Sequence, residues 1–312
     1  MSAETQLTSH GLSASYAWCE KVARSQAKNF YYSFLLLSAE KRRAMCAIYA
    51  FMRYCDDLSD DEGIADRAAA IAQWRRDLTS ALSGNTAGET APGHLVWPAF
   101  ADTVQRFRIP HQYFFDMIEG VSSDLEPRRI RTFEELYDYC YHVASVVGLT
   151  IVHIFGFKEP EALQLAEECG IAFQITNILR DVREDAEKHR VYLPAEDLER
   201  FHVSAETFEP RDRFRELMAF EAGRARDYFR QSAPLVGMVE AGSRASLRAL
   251  IAIYARLLDR IVDSNYDVLA RRIRVSTPEK IWLLVRSAGD GAVLLSAIAI
   301  VLLAVLLWLR AA

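Results

Sequence analysis

The chain contains 312 residues, of which 51% are hydrophobic and 25% are charged, a mixture typical of a folded globular protein rather than a disordered one. Its 37 basic and 42 acidic residues give a net charge of −5, which argues against a protein that binds nucleic acid through its overall charge. The five cysteines are scattered and form no Cys-x-x-Cys motif, which argues against a disulfide framework or a structural zinc site.

Hydrophobic residues recur at helical spacing along almost the whole chain, and the chain has only 14 glycines and 9 prolines. We therefore predict an all-α protein with helices near residues 14–27, 38–58, 64–83, 97–107, 111–124, 132–156, 160–188, 195–202, 211–235, 243–272 and 278–288. Thr132 and Glu135 have the spacing of a capping box at the start of one helix. The polar loop at 83–98 separates segments of the same helical composition, so we predict a single domain over residues 1–288.

The C-terminal part of the sequence has a different character. Residues 291–309 contain no charged side chain, and a helix of this length would be about 28 Å long, close to the thickness of a bilayer core. We predict that residues 289–312 form a C-terminal transmembrane anchor. The N-terminal residues 1–13 are polar and lack the apolar core of a signal peptide, so we expect the body of the protein to lie on the cytoplasmic side. A buried core helix is the alternative.

A first acidic cluster follows an apolar helical segment. Asp56 and Asp60 are four residues apart and share one helix face, and Asp57 and Asp61 form a second such pair. Like charges at this spacing destabilise a helix, and acids near a helix C-terminus oppose its dipole. These two penalties indicate that a cation binds here, although a solvated acidic helix end would show the same pattern.

A second polar stripe interrupts another apolar helix. Asn177, Asp181 and Asp185 follow one another at intervals of four residues, and Gln174 lies on an adjoining face. Burying carboxylates on such a helix is costly unless they are paired or bind a metal. The alternative is a surface stripe that forms ion pairs with neighbouring arginine and lysine residues.

The two acidic segments together indicate a more specific chemistry than either alone. Carboxylate and amide oxygens suit magnesium or manganese rather than zinc, and magnesium completes its shell with water and substrate phosphates. Two such helices across a cavity would hold metal ions around a diphosphate, with basic donors from Lys28, Arg53, Arg180 and Arg190. Apolar and aromatic residues in the adjoining turns favour an isoprenoid chain on that diphosphate: Phe30, Tyr31, Phe34, Tyr49, Phe51, Tyr139, Val143, Val147 and Phe173.

The sequence resembles the squalene/phytoene synthase family over residues of about 15 to 288. Four stretches carry the resemblance, in the family's order: KNFYYSFLLLSAEKRRAMCAIYAFMRYCDDLSD, YDYCYHVASVVG, QITNILRDVREDAEKHRVYLP and IYARLLDRIVDSNYDVLARRIRVS. The resemblance implies a single isoprenoid-synthase-type helical bundle around a central cavity. It also implies a prenyltransferase that joins two prenyl diphosphates head to head.

The resemblance also implies roles for individual residues. The candidate metal ligands are Asp56, Asp57, Asp60, Asn177, Asp181 and Asp185. The candidate substrate contacts are Ala27, Lys28, Asn29, Tyr49, Arg53, Gln174, Arg180 and Tyr254, although the family often has a serine where this chain has Ala27 or Asn29. Tyr139 matches a tyrosine proposed to assist the first half-reaction, and it joins Asp56, Asp60, Asp181 and Asp185 as a candidate catalytic residue. Gly148 matches a position where a small residue leaves room for a substrate chain.

The chain length of the substrate is harder to infer from the sequence. The C-terminal anchor favours condensation of two farnesyl diphosphates to presqualene diphosphate and squalene, which would require NADPH. The alternative is a phytoene synthase that condenses two geranylgeranyl diphosphates. A terpene cyclase or a chain-elongating prenyl synthase fits the motifs less well, and a non-catalytic, membrane-tethered scaffold would not need two complete acidic motifs.

Overall fold

The computed structural model describes residues 3–27, 30–61, 63–83, 94–125 and 129–289. Within these ranges the chain forms fourteen α-helices: α1 (Ala3–Gln26), α2 (Phe30–Phe34), α3 (Ala39–Asp60), α4 (Arg67–Leu82), α5 (Trp97–Arg106), α6 (Gln112–Ser123), α7 (Phe133–Cys140), α8 (Val146–Phe155), α9 (Glu161–Glu187), α10 (Ala195–Arg200), α11 (Arg211–Gln231), α12 (Leu235–Met238), α13 (Ala241–Asp263) and α14 (Thr277–Ala288). The same ranges contain no β-strand, only two isolated bridges. The all-α prediction is therefore confirmed.

The helices pack around two clusters of buried side chains, and α9 contributes to both. In the first cluster, Phe51 of α3 lies within 4.4 to 5.8 Å, centroid to centroid, of four aromatic rings: Trp74, Trp97, Phe100 and Phe114. In the second cluster, α9 packs along α11, where Leu217 and Met218 are fully buried. Burial on these faces holds α3 and α9, the helices that carry the acidic motifs, in fixed positions.

The predicted long helix near residues 132–156 contains a π-helical turn, Tyr141–Ser145, between α7 and α8. Thr132 caps its start and accepts a hydrogen bond from the Glu135 amide at 3.3 Å, as the capping-box spacing predicted. The π turn and the start of α8 both pack closely against α9. A Cβ on Gly170 would lie 2.5 Å from the Ser145 Cα of the π turn, and one on Gly148 of α8 would lie 2.8 Å from the Ala166 carbonyl oxygen. At Gly148, close helix packing therefore explains the small residue.

Gly170→Ala is expected to lower the free energy of unfolding by about 2 kcal/mol or more, because the added methyl meets backbone rather than a movable side chain. Gly223→Ala in α11 is the matched control, since nothing lies within 4 Å of its Cβ position. The control should stabilise the helix by roughly 1 kcal/mol. Chemical denaturation of the two variants measures the difference, and equal effects at both sites would contradict the proposed contact.

Two helix predictions differ from the structure near the cavity. The helix predicted over 243–272 ends at Asp263, because Asn265 and Tyr266 adopt left-handed backbone angles, with φ of 53° and 59°. Residues 264–276 then run as a non-helical segment, and Arg183 of α9 donates a hydrogen bond to the Ala270 carbonyl at 3.0 Å. The short helix α2 was not predicted.

The predicted transmembrane anchor lies outside the described residues. Among the residues that the structure describes, the segment Phe133–Phe155 is long and apolar enough to cross a membrane, but 56% of its most apolar window is buried inside the protein. This segment is therefore a packed helix of the domain.

Candidate active site

The two acidic motifs line one polar compartment of about 470 Å³. Asp56 and Asp60 extend from α3, and Asn177, Asp181 and Asp185 extend from α9. These helices are more than a hundred residues apart in sequence and meet only through tertiary packing. The structure thus brings five of the six predicted metal ligands to one cavity.

This polar compartment continues into an apolar one, also of about 470 Å³. Both compartments share Arg53, Asp56, Gln174, Asn177 and Arg272 in their walls. The deeper walls are apolar and include Phe30, Phe34, Met45, Ile48, Met52, Met117, Val147, Gly148, Ile151, Leu235 and Leu247. An elongated ligand with an anionic head and a hydrocarbon chain matches this division.

Basic side chains hold two of the acids. The Asp60 carboxylate forms ion pairs with the Lys188 ammonium group at 3.1 Å and with the Arg190 guanidinium group at 3.2 Å. Burial alone would raise the pKa of Asp60, but these two cations outweigh burial and lower it. Asp181 pairs with Arg180 and with Arg272, whose guanidinium lies 3.0 Å away. The site therefore gathers four cationic groups that a diphosphate can attract.

Asp56 and Asp185 have no ion pair within 4 Å among the described residues. Burial, reinforced by neighbouring aspartates, raises the pKa of each carboxyl to about 7. The Asp56 side chain is open to the cavity, and the protein around that cavity reduces its hydration. In the absence of a ligand, these two groups take up protons near neutral pH, and a bound cation would displace those protons.

The residues present fit a hard divalent cation. Their donor atoms are carboxylate and amide oxygens, and the Oδ1 atom of Asn177 is buried without a hydrogen-bond partner. Within the described ranges, no three His, Cys, Asp or Glu side chains cluster closely enough to enclose a metal by themselves. Magnesium usually keeps several positions for water and substrate phosphate, so protein side chains need not enclose it.

Metal-free protein is expected to lose stability as the pH rises from about 4 to about 7. Over this interval the unfolded chain releases the protons of Asp56 and Asp185, whereas the folded chain retains them because their pKa values are raised. A magnesium ion would bind the deprotonated carboxylates, so added magnesium should raise the melting temperature more at pH 8 than at pH 5. Thermal melts in EDTA and in magnesium at both pH values measure this.

The control for this prediction is the double variant Asp56→Asn with Asp185→Asn. Burial also raises the pKa of Glu221, far from the metal motifs, so part of the pH dependence will persist in the variant. The difference between the wild type and the variant isolates the two aspartates. Identical pH profiles for both proteins would show that neither carboxyl has a raised pKa.

The structure places some of the predicted residues outside the polar compartment. Asp57 lines neither compartment, and it accepts a hydrogen bond from Arg53. Ala27 lines the apolar compartment and is 2% exposed. Its side chain is a methyl group, which cannot donate a hydrogen bond to a diphosphate. Lys28 and Asn29 lie outside the described residues.

Other predicted substrate contacts do line the cavity, namely Tyr49, Arg53, Gln174, Arg180 and Tyr254. Tyr254 of α13 stacks on Phe173 of α9, with ring centroids 4.0 Å apart and planes at 4°. Phe30 of α2 lies 5.7 Å from the Tyr254 ring. The three rings form an aromatic wall beside the polar compartment.

Tyr139 belongs to a hydrogen-bond network in which Asp124 and Tyr192 were not predicted. Its hydroxyl donates to Asp124 at 3.1 Å, and Tyr192 donates to the other Asp124 oxygen at 2.8 Å. The two tyrosine rings stack with centroids 4.7 Å apart. Arg190 donates to the Asp124 carbonyl at 2.9 Å and thereby links this network to Asp60.

Arg272 is a further site residue that the sequence analysis missed. It had been assigned to a continuous helix, whereas the non-helical segment 264–276 carries it to Asp181 and to Glu184, 2.6 Å away. The Ser264–Asn265 pair was the available signal, because both residue types favour helix ends. Asp124 had no comparable signal in its local sequence.

The described helices enclose a polar compartment, lined by carboxylates and basic side chains, that opens into an apolar one. This arrangement is typical of enzymes that act on a diphosphate attached to a hydrocarbon chain. Residues 23–279 match the family model described as squalene/phytoene synthase. The 15-cis-phytoene synthase of Synechococcus elongatus is 37% identical over 286 residues, covering 86% of this chain and 91% of that protein. The chloroplastic phytoene synthase of Narcissus pseudonarcissus is 36% identical over 291 residues, covering 90% of this chain and 67% of that protein.

A solved structure gives the same result for the fold. A dehydrosqualene synthase crystallised in complex with a ligand superposes with a TM-score of 0.81 and 28% identity, covering 90% of this chain and 97% of that one. The chain belongs to the squalene/phytoene synthase family. It is therefore a prenyltransferase-type enzyme of the group that condenses prenyl diphosphates head to head.

Proposed function

We propose that this protein condenses two geranylgeranyl diphosphates, with magnesium, to phytoene. The observation that carries the proposal is the joined cavity, in which two carboxylate motifs and several cations border an apolar compartment. The relatives named phytoene synthase support geranylgeranyl diphosphate, the C20 substrate, over farnesyl diphosphate, the C15 substrate that the predicted C-terminal anchor favours. Condensation of two farnesyl diphosphates is the second candidate, because the dehydrosqualene synthase structure is also similar.

The proposed head-group site uses the polar compartment. Asp56, Asp60, Asn177, Asp181 and Asp185 would hold magnesium, which neutralises the diphosphate and makes it a better leaving group when it is bound. Arg180 and Arg272 now pair with Asp181, and a diphosphate would offer both guanidinium groups a more highly charged partner. Binding would then free Asp181 as a ligand.

The apolar compartment would receive the hydrocarbon chains and exclude water from the allylic cation that forms when diphosphate leaves. The faces of Phe173 and Tyr254 can stabilise such a cation without forming a bond to it. The double bond of the second substrate attacks this cation, and proton loss closes a cyclopropane ring. The released diphosphate would accept that proton, or Tyr139 would accept it while its own hydroxyl proton passes to Asp124.

The second half-reaction distinguishes the two candidates. After the cyclopropyl intermediate ionises and rearranges, loss of a proton gives phytoene or dehydrosqualene, whereas hydride from NADPH gives squalene. The proposed phytoene synthase therefore needs no NADPH, and NADPH would enter only if squalene were the product.

We also propose that the catalytic domain is tethered to a membrane by residues 289–312, with the domain on the cytoplasmic side. The support is the uncharged stretch 291–309, whose length matches a bilayer core. Substrates with long hydrocarbon chains and an apolar product both partition into lipid, so this location suits the proposed reaction.

Product analysis tests the proposed reaction. Full-length protein in detergent with magnesium would receive farnesyl or geranylgeranyl diphosphate, each with and without NADPH, and mass spectrometry would identify the products. We expect a C40 hydrocarbon from geranylgeranyl diphosphate without NADPH, and no turnover in EDTA. A C30 product formed only with NADPH would identify a squalene synthase instead. No product from either substrate, with an intact fold, would support a non-catalytic scaffold.

A further inference from the structure

Trp282 is one of two large hydrophobic side chains that the described part of the chain exposes to solvent, at 56% exposure; Leu95 is the other. It lies on α14 beside the half-exposed Ile281 and Val285. The Arg286 guanidinium lies 5.2 Å from the indole ring, in cation–π contact. An indole next to a cation is amphipathic and suits the boundary between lipid and water.

The opposite face of α14 is fixed to the domain. Leu283 and Leu284 are buried, and α14 packs against α13 and α2. A capping box of Ser276 and Glu279 closes its N-terminus. Glu279 also binds Arg256 at 2.8 Å and Arg260 at 2.6 Å. Trp282 is therefore presented outward by a rigid helix, and the fold offers it no inward position.

The chain beyond α14 indicates what covers this face. The helix ends at Ala288, Gly289 has φ of 68°, and the uncharged stretch 291–309 begins nine residues after Trp282. The positive φ of Gly289 is typical of a residue that ends a helix, as it does for α14. A helix beside an anchor, with an apolar row and flanking cations, has the features of a helix that lies in the plane of a membrane surface.

We propose that the Trp282 face of α14 docks into the headgroup region of a lipid bilayer. This inference builds on the proposed membrane anchor and adds a contact between the folded domain and the lipid. Arg286 is exposed on the same helix and lies one turn after Trp282, so a cation stands on the face that would meet anionic headgroups.

Docking would also orient the active site. α14 packs against α2, whose Phe30 and Phe34 line the apolar compartment. Seating α14 on the bilayer holds this wall of the compartment close to the lipid. The hydrocarbon part of a substrate or product would then have a short path between the cavity and the membrane.

A fluorescent label at residue 282 tests the docking. All five native cysteines are buried, and burial raises the pKa of each thiol, so a thiol introduced by Trp282→Cys would react selectively. Leu95→Cys, at the other exposed hydrophobic position, is the matched control. Each full-length variant would carry an environment-sensitive dye in vesicles of phosphatidylcholine and phosphatidylglycerol that contain lipids with a nitroxide near the headgroup.

We expect the dye at 282 to lose about half of its fluorescence to the nitroxide lipids, and the dye at 95 to lose less than about a tenth. A dye at 282 that stays in water, in protein that resists carbonate extraction, would overturn the docking while the anchor remains. A dye shielded from water but not quenched by lipid would indicate a protein partner and would also overturn it. Protein that carbonate extracts, with an unquenched dye, would refute both the anchor and the docking.

Activity in the same vesicles separates this inference from the proposed reaction. Quenching at 282 in protein that forms no C40 or C30 product would refute the reaction but leave the docking in place. Normal product formation with an unquenched dye would refute the docking alone.

Discussion

Asp56→Asn and Asp181→Asn are each expected to lower kcat for condensation by about 1000-fold, since each removes a carboxylate proposed to hold magnesium around the leaving diphosphate. Asp56 is the cleaner position, because it has no ion pair among the described residues. Asp181 also neutralises Arg180, a largely buried cation, so its variant should lose some stability as well. Product formation at saturating magnesium and substrate measures the first effect, and thermal melts measure the second.

Asp61→Asn is the control for these variants. It removes the same charge one residue beyond α3, outside both compartments, and its Oδ1 atom can still accept the Gly63 amide hydrogen bond of 2.8 Å. The control should keep kcat within about threefold of the wild type. If Asp56→Asn retained near wild-type activity at ordinary magnesium concentrations, the assignment of the metal site would be wrong.

Asp124→Leu is expected to lower kcat by about 100-fold and the free energy of unfolding by about 2–4 kcal/mol. The substitution removes the carboxylate that accepts hydrogen bonds from two buried hydroxyl groups, on Tyr139 and Tyr192. Without that acceptor, the phenol of Tyr139 would no longer be held in one orientation at the edge of the polar compartment. Steady-state kinetics and chemical denaturation measure the two effects.

Asp124→Asn separates structure from catalysis, because its amide oxygen can still accept a hydrogen bond. We expect this variant to regain most of the stability while kcat remains lowered and KM changes little. Tyr139→Phe should then add little further loss to Asp124→Asn, since both changes act through one group. Fully additive losses would show that Asp124 does not act through Tyr139.

The helical class of the fold was predictable because its cause is local. Hydrophobic residues at helical spacing bury one face of each helix whatever its partners are, and caps such as Thr132 act within a few residues. The intervals of four between Asp56 and Asp60, and between Asn177 and Asp181, place each pair on one face of any helix. The chemistry of the donor atoms was therefore apparent from the sequence.

Local rules failed where backbone and long-range contacts compete with helical periodicity. The apolar pattern runs past Asp263, yet the left-handed Asn265 and Tyr266 end α13. The π turn Tyr141–Ser145 likewise appears where Gly170 lets α9 approach the backbone, a contact between residues distant in sequence.

By itself, the sequence determined that this protein is helical and that it carries two motifs whose oxygen donors suit magnesium. It also showed that the uncharged stretch 291–309 is long and apolar enough to cross a bilayer. Only the tertiary structure decided which side chains meet. In the folded protein Arg272 pairs with Asp181, and Asp124 accepts hydrogen bonds from two tyrosines. Asp57 pairs with Arg53 outside the cavity, and Trp282 is exposed on α14. The physical reason is that helix periodicity acts over a few residues, whereas burial and ion pairing depend on which elements pack together.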